Sequence, residues 1–237
     1  MKWTDQLFHS SLTASFYDIL TRQVFWRDAI AGMLEYVEHV PQRAQILDLG
    51  CGPGISTFAL ATRIPHPAKL IGLDLSQEMV QIARETHRQD WSHLKHIQFQ
   101  QGDASKLNYP SESFDLVFGH SFLYLVDDPL TVLREVKRVL KPNGQVVFME
   151  PNGSGSLIQA ARESIPNAGK WLHMPWSAAR FGVSMAMWRI VSGGVGQMTV
   201  DKLSRLFHEA GFVEHSSSAT LGSLGLHTTG KSNHSRK

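Results

Sequence analysis

Residues 45–54 read Gln45-Ile46-Leu47-Asp48-Leu49-Gly50-Cys51-Gly52-Pro53-Gly54, followed by Ile-Ser-Thr-Phe-Ala-Leu-Ala-Thr-Arg. Ile46 and Leu47 form a short apolar run that suits a buried strand. The alternating glycines allow a tight turn and the close approach of a ligand, with no Cβ in the way. The residues after them can continue as a helix, whose first N–H groups have no partner within the helix. Strand, glycine turn and helix is how an open α/β sheet builds a nucleotide site at the carboxyl end of a strand.

The spacing narrows the ligand. A dinucleotide fingerprint is G-x-G-x-x-G, whereas here it is G-x-G-x-G and Ile55 stands where the last glycine of the fingerprint would fall. Asp48 sets a carboxylate beside the loop, which suits a cationic or amino-bearing ligand better than a pyrophosphate. Asp48-Leu-Gly-Cys-Gly-Pro-Gly54 resembles the first motif of the class I S-adenosylmethionine-dependent methyltransferases. The resemblance implies that S-adenosylmethionine is the cofactor and S-adenosylhomocysteine the product. It also implies that Asp48, Gly50, Cys51, Gly52 and Gly54 border the cofactor.

Further strands follow at regular intervals. Lys69–Leu75 ends in Asp74, with Ser76 placed to cap the next helix and Met79 and Ile82 on its apolar side. An acidic residue at that strand end can accept both ribose hydroxyls, a logic that dinucleotide folds share. A third strand, His96–Gln101, runs into Gly102-Asp103-Ala104. In the resembled family an acid here takes the adenine amino group and the next backbone N–H takes a ring nitrogen. Asp103 and Ala104 match that pattern, with Leu75 and Met79 flanking the ring.

The fourth strand, Ser113–His120, lies within SFDLVFGHSFLYLVDD, and the fifth, Gln145–Pro151, within LKPNGQVVFMEP; both phrases are similar to the family's motifs. Asp128-Pro129 reads as an N-cap with proline at the first helical position, and Asn143-Gly144 as the end of that helix. The Asn/Asp-Pro-Pro-Tyr motif of adenine and glutamine N-methylation is absent after the fourth strand, where Gly119-His120-Ser121 stands. Strands and helices thus alternate over 45–151, the pattern of a parallel sheet covered on both faces.

Outside that region the rhythm changes. Residues 1–40 read as helical, with Phe16, Ile19, Leu20 and Val24 on one face and Ile30, Leu34 and Val37 on another. In the resembled family such helices cover the cofactor and shape the substrate pocket, and Tyr17-Asp18 is similar to a Tyr-Asp pair near the start of many small-molecule members. Residues 152–198 are too long for an ordinary connection. They hold Trp171, Trp176 and Trp188 together with Met174, Met185, Met187 and Met198, which supply adaptable apolar contacts. A helix from Thr199 to Gly211 follows. Segments near 212–220 and 224–230 then read as a hairpin.

Composition bounds the rest. The chain has 237 residues, 42% hydrophobic and 19% charged, with a formal charge of +2, enough for one domain and too little charge to argue for nucleic acid. The single cysteine, Cys51, suits a reducing compartment, and the N-terminus lacks the apolar core of a signal peptide. Both favour a cytoplasmic location. No stretch has the ~18 uninterrupted apolar residues of a transmembrane helix, which leaves transient membrane contact open. His93 and His96 have H-x-x-H spacing but nothing completes a zinc set, so no metal is expected.

The reading is a single α/β domain over 1–237: a Rossmann-like, doubly wound seven-stranded sheet, mostly parallel with an antiparallel C-terminal hairpin. Residues 1–40 form a helical cover and 152–198 an insertion over the substrate. The activity implied is methyl transfer to a small, apolar or aromatic metabolite. His120, at the rim of the fourth strand, is counted among the residues bordering the cofactor and is also the first candidate base, ahead of Tyr124 and His173. Tyr17, Trp171 and Trp176 are candidate substrate contacts. A lipid or quinone acceptor is the runner-up, followed by a non-catalytic cofactor-binding partner subunit. A nicotinamide oxidoreductase is disfavoured by Ile55 and Asp48. Oligomeric state is not legible in the sequence.

Overall fold

The computed structural model describes residues 30–64, 68–156, 198–220 and 223–232, and the isolated positions 176, 179, 183 and 186. Seven strands form one sheet in the order β3-β2-β1-β4-β5-β7-β6. They are β1 (Gln45–Leu49), β2 (Lys69–Asp74), β3 (Ile97–Gln101), β4 (Phe114–His120), β5 (Leu140–Pro151), β6 (Glu214–Thr220) and β7 (Gly225–Lys231). β1 to β5 pair in parallel, while β7 runs antiparallel to both β5 and β6. The expected doubly wound sheet with its C-terminal hairpin is what forms.

The order reverses between β1 and β4, so a crevice opens above their carboxyl ends. The strands on either side of it are buried on both faces and hence read as near-continuous apolar runs. Alternate residues feed two core layers. Ile46, Leu116, Phe118, Val147 and Met149 face one layer with Ile30, Met33 and Phe58. Leu47, Leu49, Val117, Val146 and Phe148 face the other with Leu133, Val136 and Phe207.

The helices begin where the sequence supplies caps. α1 (Ile55–Ala61) starts directly from the glycine loop. In α2 (Gln77–Asp90) the Met79 N–H donates to Ser76 Oγ at 3.3 Å. In α3 (Pro129–Val139) the Thr131 N–H donates to Asp128 Oδ1 at 3.1 Å, with proline in the first turn. In α4 (Val200–Glu209) the Lys202 N–H donates to Thr199 Oγ1 at 3.2 Å. Such caps satisfy N–H groups that the helix itself leaves unpaired.

Two expectations need correction. α3 ends at Val139 rather than at Asn143-Gly144, and Leu140 is already extended at ψ 135°. Pro142 disfavours helical backbone at Lys141, so the chain turns into β5 sooner than the Asn-Gly signal suggests. Residues 30–36 end the N-terminal section as a last helical step and a 3₁₀ turn, Gly32–Tyr36; the rest of the expected cover lies outside the described residues. The ends of the 152–198 stretch meet: the Gly153 N–H donates to the Met198 carbonyl at 2.8 Å, and the Asn152 N–H to that of Leu224 at 2.8 Å.

Candidate active site

Above the switch point lies a cleft of about 390 Å³. One wall comes from the glycine loop and the ends of β2 and β3: Gly50, Gly52, Asp74, Leu75, Met79, Asp103 and Ala104. The other comes from the end of β4 and the segment after it: His120, Ser121, Phe122, Leu125, Val126, Asp127 and Asp128. Both walls mix acidic and apolar side chains: Asp74 and Asp103 with Leu75 and Met79 on the first, Asp127 and Asp128 with Phe122, Leu125 and Val126 on the second.

Asp74 ties loop and strand together. Its Oδ2 accepts the Gly52 N–H at 2.8 Å and its Oδ1 the Ser76 N–H at 2.9 Å. Gly52 has φ +52° and open space where a Cβ would stand, so the loop offers a cradle that a side chain would fill. Leu75 is 60% exposed at the rim while Met79 is buried behind it, leaving an apolar ledge beside two carboxylates. Asp103 is held in place by Ser105, whose N–H and hydroxyl both donate to Oδ1, at 2.8 and 2.7 Å.

Three of the expected cofactor residues stand behind the cleft rather than in it. Asp48 is buried, and its Oδ2 accepts the hydroxyls of Ser56 and Thr57, each at 2.6 Å. Its Oδ1 is buried with no partner. Burial pushes this carboxyl up to about 6 against the pull of the two hydroxyls, and the charge on Asp74 pushes the same way. Cys51 is buried too, and burial raises its thiol well above the ordinary range; it is not a reactive cysteine. Gly54 packs where a Cβ would strike the rings of Phe58 and Phe99.

Of the catalytic candidates, His120 reaches the cleft. Burial, with a smaller contribution from His227, lowers its imidazole to about 3, so the ring is neutral throughout the physiological range. Tyr124 does not reach the cleft: it is buried in the second core layer among Phe122, Leu123 and Val132. Trp176 is helical and 84% exposed. Tyr17, Trp171 and His173 lie outside the described residues. No group of three or more metal-ligating side chains occurs among the described residues.

Glu150 and His227 escaped the sequence reading. Glu150 is 0% exposed, and its carboxylate accepts backbone N–H groups from Phe122 (3.3 Å), Leu123 (3.0 Å) and Tyr124 (3.2 Å). It thereby fixes the second wall of the cleft. An acid inside an otherwise apolar strand, Val-Val-Phe-Met-Glu150, was the available signal. His227 had none, because its place beside β5 depends on the register of the hairpin.

A sheet of this order, with a glycine loop and two strand-end carboxylates around a crevice at the switch point, is the architecture of a nucleoside-dependent group transferase. The chain belongs to the class I S-adenosylmethionine-dependent methyltransferases: the methyltransferase-domain family model matches residues 42–211. It is 36% identical over 171 residues to a demethylmenaquinone methyltransferase of Lactococcus lactis, covering 71% of this chain and 65% of that protein. It is 31% identical over 187 residues to one of Bacillus velezensis, covering 78% and 76%. Several curated relatives are matched over 50% to 65% of their own length. In fold the chain is similar to a SAM-dependent methyltransferase from Aquifex aeolicus, with TM-score 0.65, 16% identity, and 92% and 98% of the two chains covered. It is similar as well to Haemonchus contortus phosphoethanolamine N-methyltransferase 2 in complex with S-adenosyl-L-methionine, with TM-score 0.70, 14% identity, and 98% and 59% covered.

The residues present fit that cofactor. Asp74 and Asp103 would hold the ribose and adenine, Leu75 and Met79 would flank the ring, and Gly52 leaves room for the tail. The unpartnered Oδ1 of Asp48 suits a cationic ligand nearby. No helix among the described residues is long and apolar enough to cross a membrane.

Proposed function

We propose that this chain transfers the methyl group of S-adenosylmethionine to a small, apolar aromatic acceptor that carries a hydroxyl, of the hydroquinone class. The observation that carries this reading is the apolar run of Phe122, Leu125 and Val126 beside His120 in the cleft. Asp74 and Asp103 lie on the β2 and β3 side, while on the other side Phe122, Leu125 and Val126 stand beside His120, with Ser121, Asp127 and Asp128 around them. An apolar run beside a neutral imidazole suits a flat ring with a polar substituent. The demethylmenaquinone methyltransferases among the relatives point to the same acceptor class.

The bound cofactor supplies an activated methyl carbon, so the protein's task is alignment of the acceptor, which can account for much of the rate. His120 takes the acceptor hydroxyl as a hydrogen-bond acceptor. With its pKa lowered to about 3, it orients that hydroxyl rather than keeping its proton, which passes to solvent as the methyl group is transferred and S-adenosylhomocysteine is left. The apolar run excludes water from the line of attack.

The test uses radiolabelled S-adenosylmethionine with naphthalene-1,4-diol kept reduced, and mass analysis of the product. Transfer to the diol supports the reading. Binding of S-adenosylhomocysteine without transfer to any aromatic hydroxyl compound overturns the acceptor class, and absence of S-adenosylhomocysteine binding overturns the cofactor site.

A further inference from the structure

His120, Met149 and His227 stand in one rung across three strands. His120 pairs with Met149 in the parallel β4–β5 ladder, and Met149 with His227 in the antiparallel β5–β7 ladder. Side chains of paired residues leave a sheet on the same face, here the face covered by Ile30 and Met33. The row starts at the cofactor cleft, which His120 lines. It ends roughly 10 Å away, two strand spacings across.

His227 is 5% exposed. Its Nε2 lies 3.0 Å from Met149 Sδ. A thioether sulfur has lone pairs and no hydrogen, so it can only accept. Nε2 therefore carries the proton and Nδ1 the lone pair. Burial lowers this imidazole to about 4, in keeping with a neutral ring. That Nδ1 is buried and has no hydrogen-bond partner. Buried polar atoms without partners are rare, and each one calls for a physical explanation. A lone pair requires a donor, and the surroundings are apolar: the Met149 thioether on one side and the Tyr36 ring, edge-on with centroids 4.5 Å apart, on the other.

We infer that His227 belongs to the acceptor site, where its Nδ1 accepts a hydrogen bond from a ring hydroxyl at the far end of the methyl acceptor. Met149 is itself fully covered, 0% exposed, so the acceptor hydroxyl reaches His227 by displacing the Tyr36 ring that lies against it. Tyr36, 36% exposed at the end of its 3₁₀ turn, is the cover that swings aside to admit it. The row thus selects acceptors by a hydroxyl remote from the methylated position. This rests on the aromatic-hydroxyl acceptor proposed above.

The test compares His227→Phe, which keeps a ring but removes the lone pair, with His227→Asn, whose side-chain oxygen can stand near the place of Nδ1. With reduced naphthalene-1,4-diol as acceptor, His227→Phe raises KM by roughly tenfold while S-adenosylhomocysteine affinity stays at the wild-type value, and His227→Asn recovers most of the loss. In wild-type protein labelled with ¹⁵N-histidine and saturated with S-adenosylhomocysteine, adding the diol moves the His227 Nδ1 resonance toward that of a hydrogen-bonded lone pair. An unchanged resonance overturns the inference, whether or not the variants fold. Equal KM in His227→Phe and wild type overturns it too, as do equal losses in the two variants, and in both cases the acceptor class stands because wild type still turns over the diol. If wild type binds S-adenosylhomocysteine and methylates no aromatic hydroxyl compound, the acceptor class falls and this inference falls with it.

Discussion

The Glu150 carboxylate accepts the Leu123 N–H at 3.0 Å with both residues out of contact with water. Two more N–H groups, of Phe122 and Tyr124, converge on the same side chain. A carboxylate can serve all three. Burial nevertheless pushes its pKa up to about 8, against the pull of the three donors.

Glu150→Gln is expected to lower stability by ~1–3 kcal/mol at acid pH, because even a protonated carboxyl keeps two acceptor oxygens for the three N–H groups, whereas an amide has one and turns its NH₂ toward donors. Cofactor affinity falls as well, since the segment it holds lines the cleft. Urea denaturation and calorimetry measure the two effects. Because the folded pKa is raised, Glu150 contributes stability that is full below its unfolded value near ~4.5 and is lost as pH rises through about 8. The gap in stability between wild type and Glu150→Gln therefore narrows from pH 4.5 to pH 8. A gap that widens over that window would refute the assignment.

Asp74→Ala removes the acceptor that holds the Gly52 and Ser76 N–H groups and that would meet the ribose. Hydrogen bonds to a charged group contribute ~1.5–3 kcal/mol, so S-adenosylhomocysteine affinity should fall by roughly tenfold to a hundredfold. Calorimetry on the folded variant that returns the wild-type affinity removes Asp74 from the site.

Gly50 and Gly52 both have positive φ, +65° and +52°, but differ in surroundings. A Cβ at Gly50 would run into the Phe122 side chain, whereas one at Gly52 meets nothing. Gly50→Ala should therefore cost ~1–3 kcal/mol from overpacking in addition to backbone strain. Gly52→Ala should show the strain alone, yet weaken cofactor binding more per unit of stability lost. Thermal unfolding and S-adenosylhomocysteine titration of the pair separate packing from recognition.

His120→Gln keeps some hydrogen bonding and abolishes titration. Single-turnover methyl transfer is expected to slow by ~10²-fold through misplacement of the acceptor. Product release can hide such a defect in steady state, so single turnover is the measurement that counts. Because the wild-type imidazole is already neutral far above pH 3, His120 itself produces no inflection between pH 6 and 9. A wild-type inflection in that range that disappears in His120→Gln would mean that the ring titrates there and acts as a base.

The motif Asp48–Gly54, the strand-end acids Asp74 and Asp103, and the caps Ser76, Asp128 and Thr199 were legible because each is a local device. Residue type and spacing carry the information without tertiary context. The end of α3 was misread because an Asn-Gly turn signal competes with the proline before it, and the proline acts first. Glu150 and His227 are another matter. Their roles depend on which backbone lies across from them, Phe122–Tyr124 in one case and Met149 in the other, and neither partner is near in sequence. Tyr124 shows the converse error: a polar tip next to the catalytic rim suggested chemistry, while a turn of 3₁₀ backbone at Leu123–Leu125 sent the ring into the core.

Phe122 fills the space that backbone at both Gly50 and Gly119 leaves vacant, and its ring meets Phe148 edge-on at 5.2 Å. The wall proposed to face the acceptor and the glycine loop therefore share one side chain as a common spacer. Attempts to widen acceptor scope by trimming Phe122 will slacken the nucleoside grip at the same stroke, so the two specificities are inherited together at this position. Leu125 and Val126 line the same wall without filling those glycine gaps, and they are the positions at which acceptor range can drift while cofactor affinity is kept.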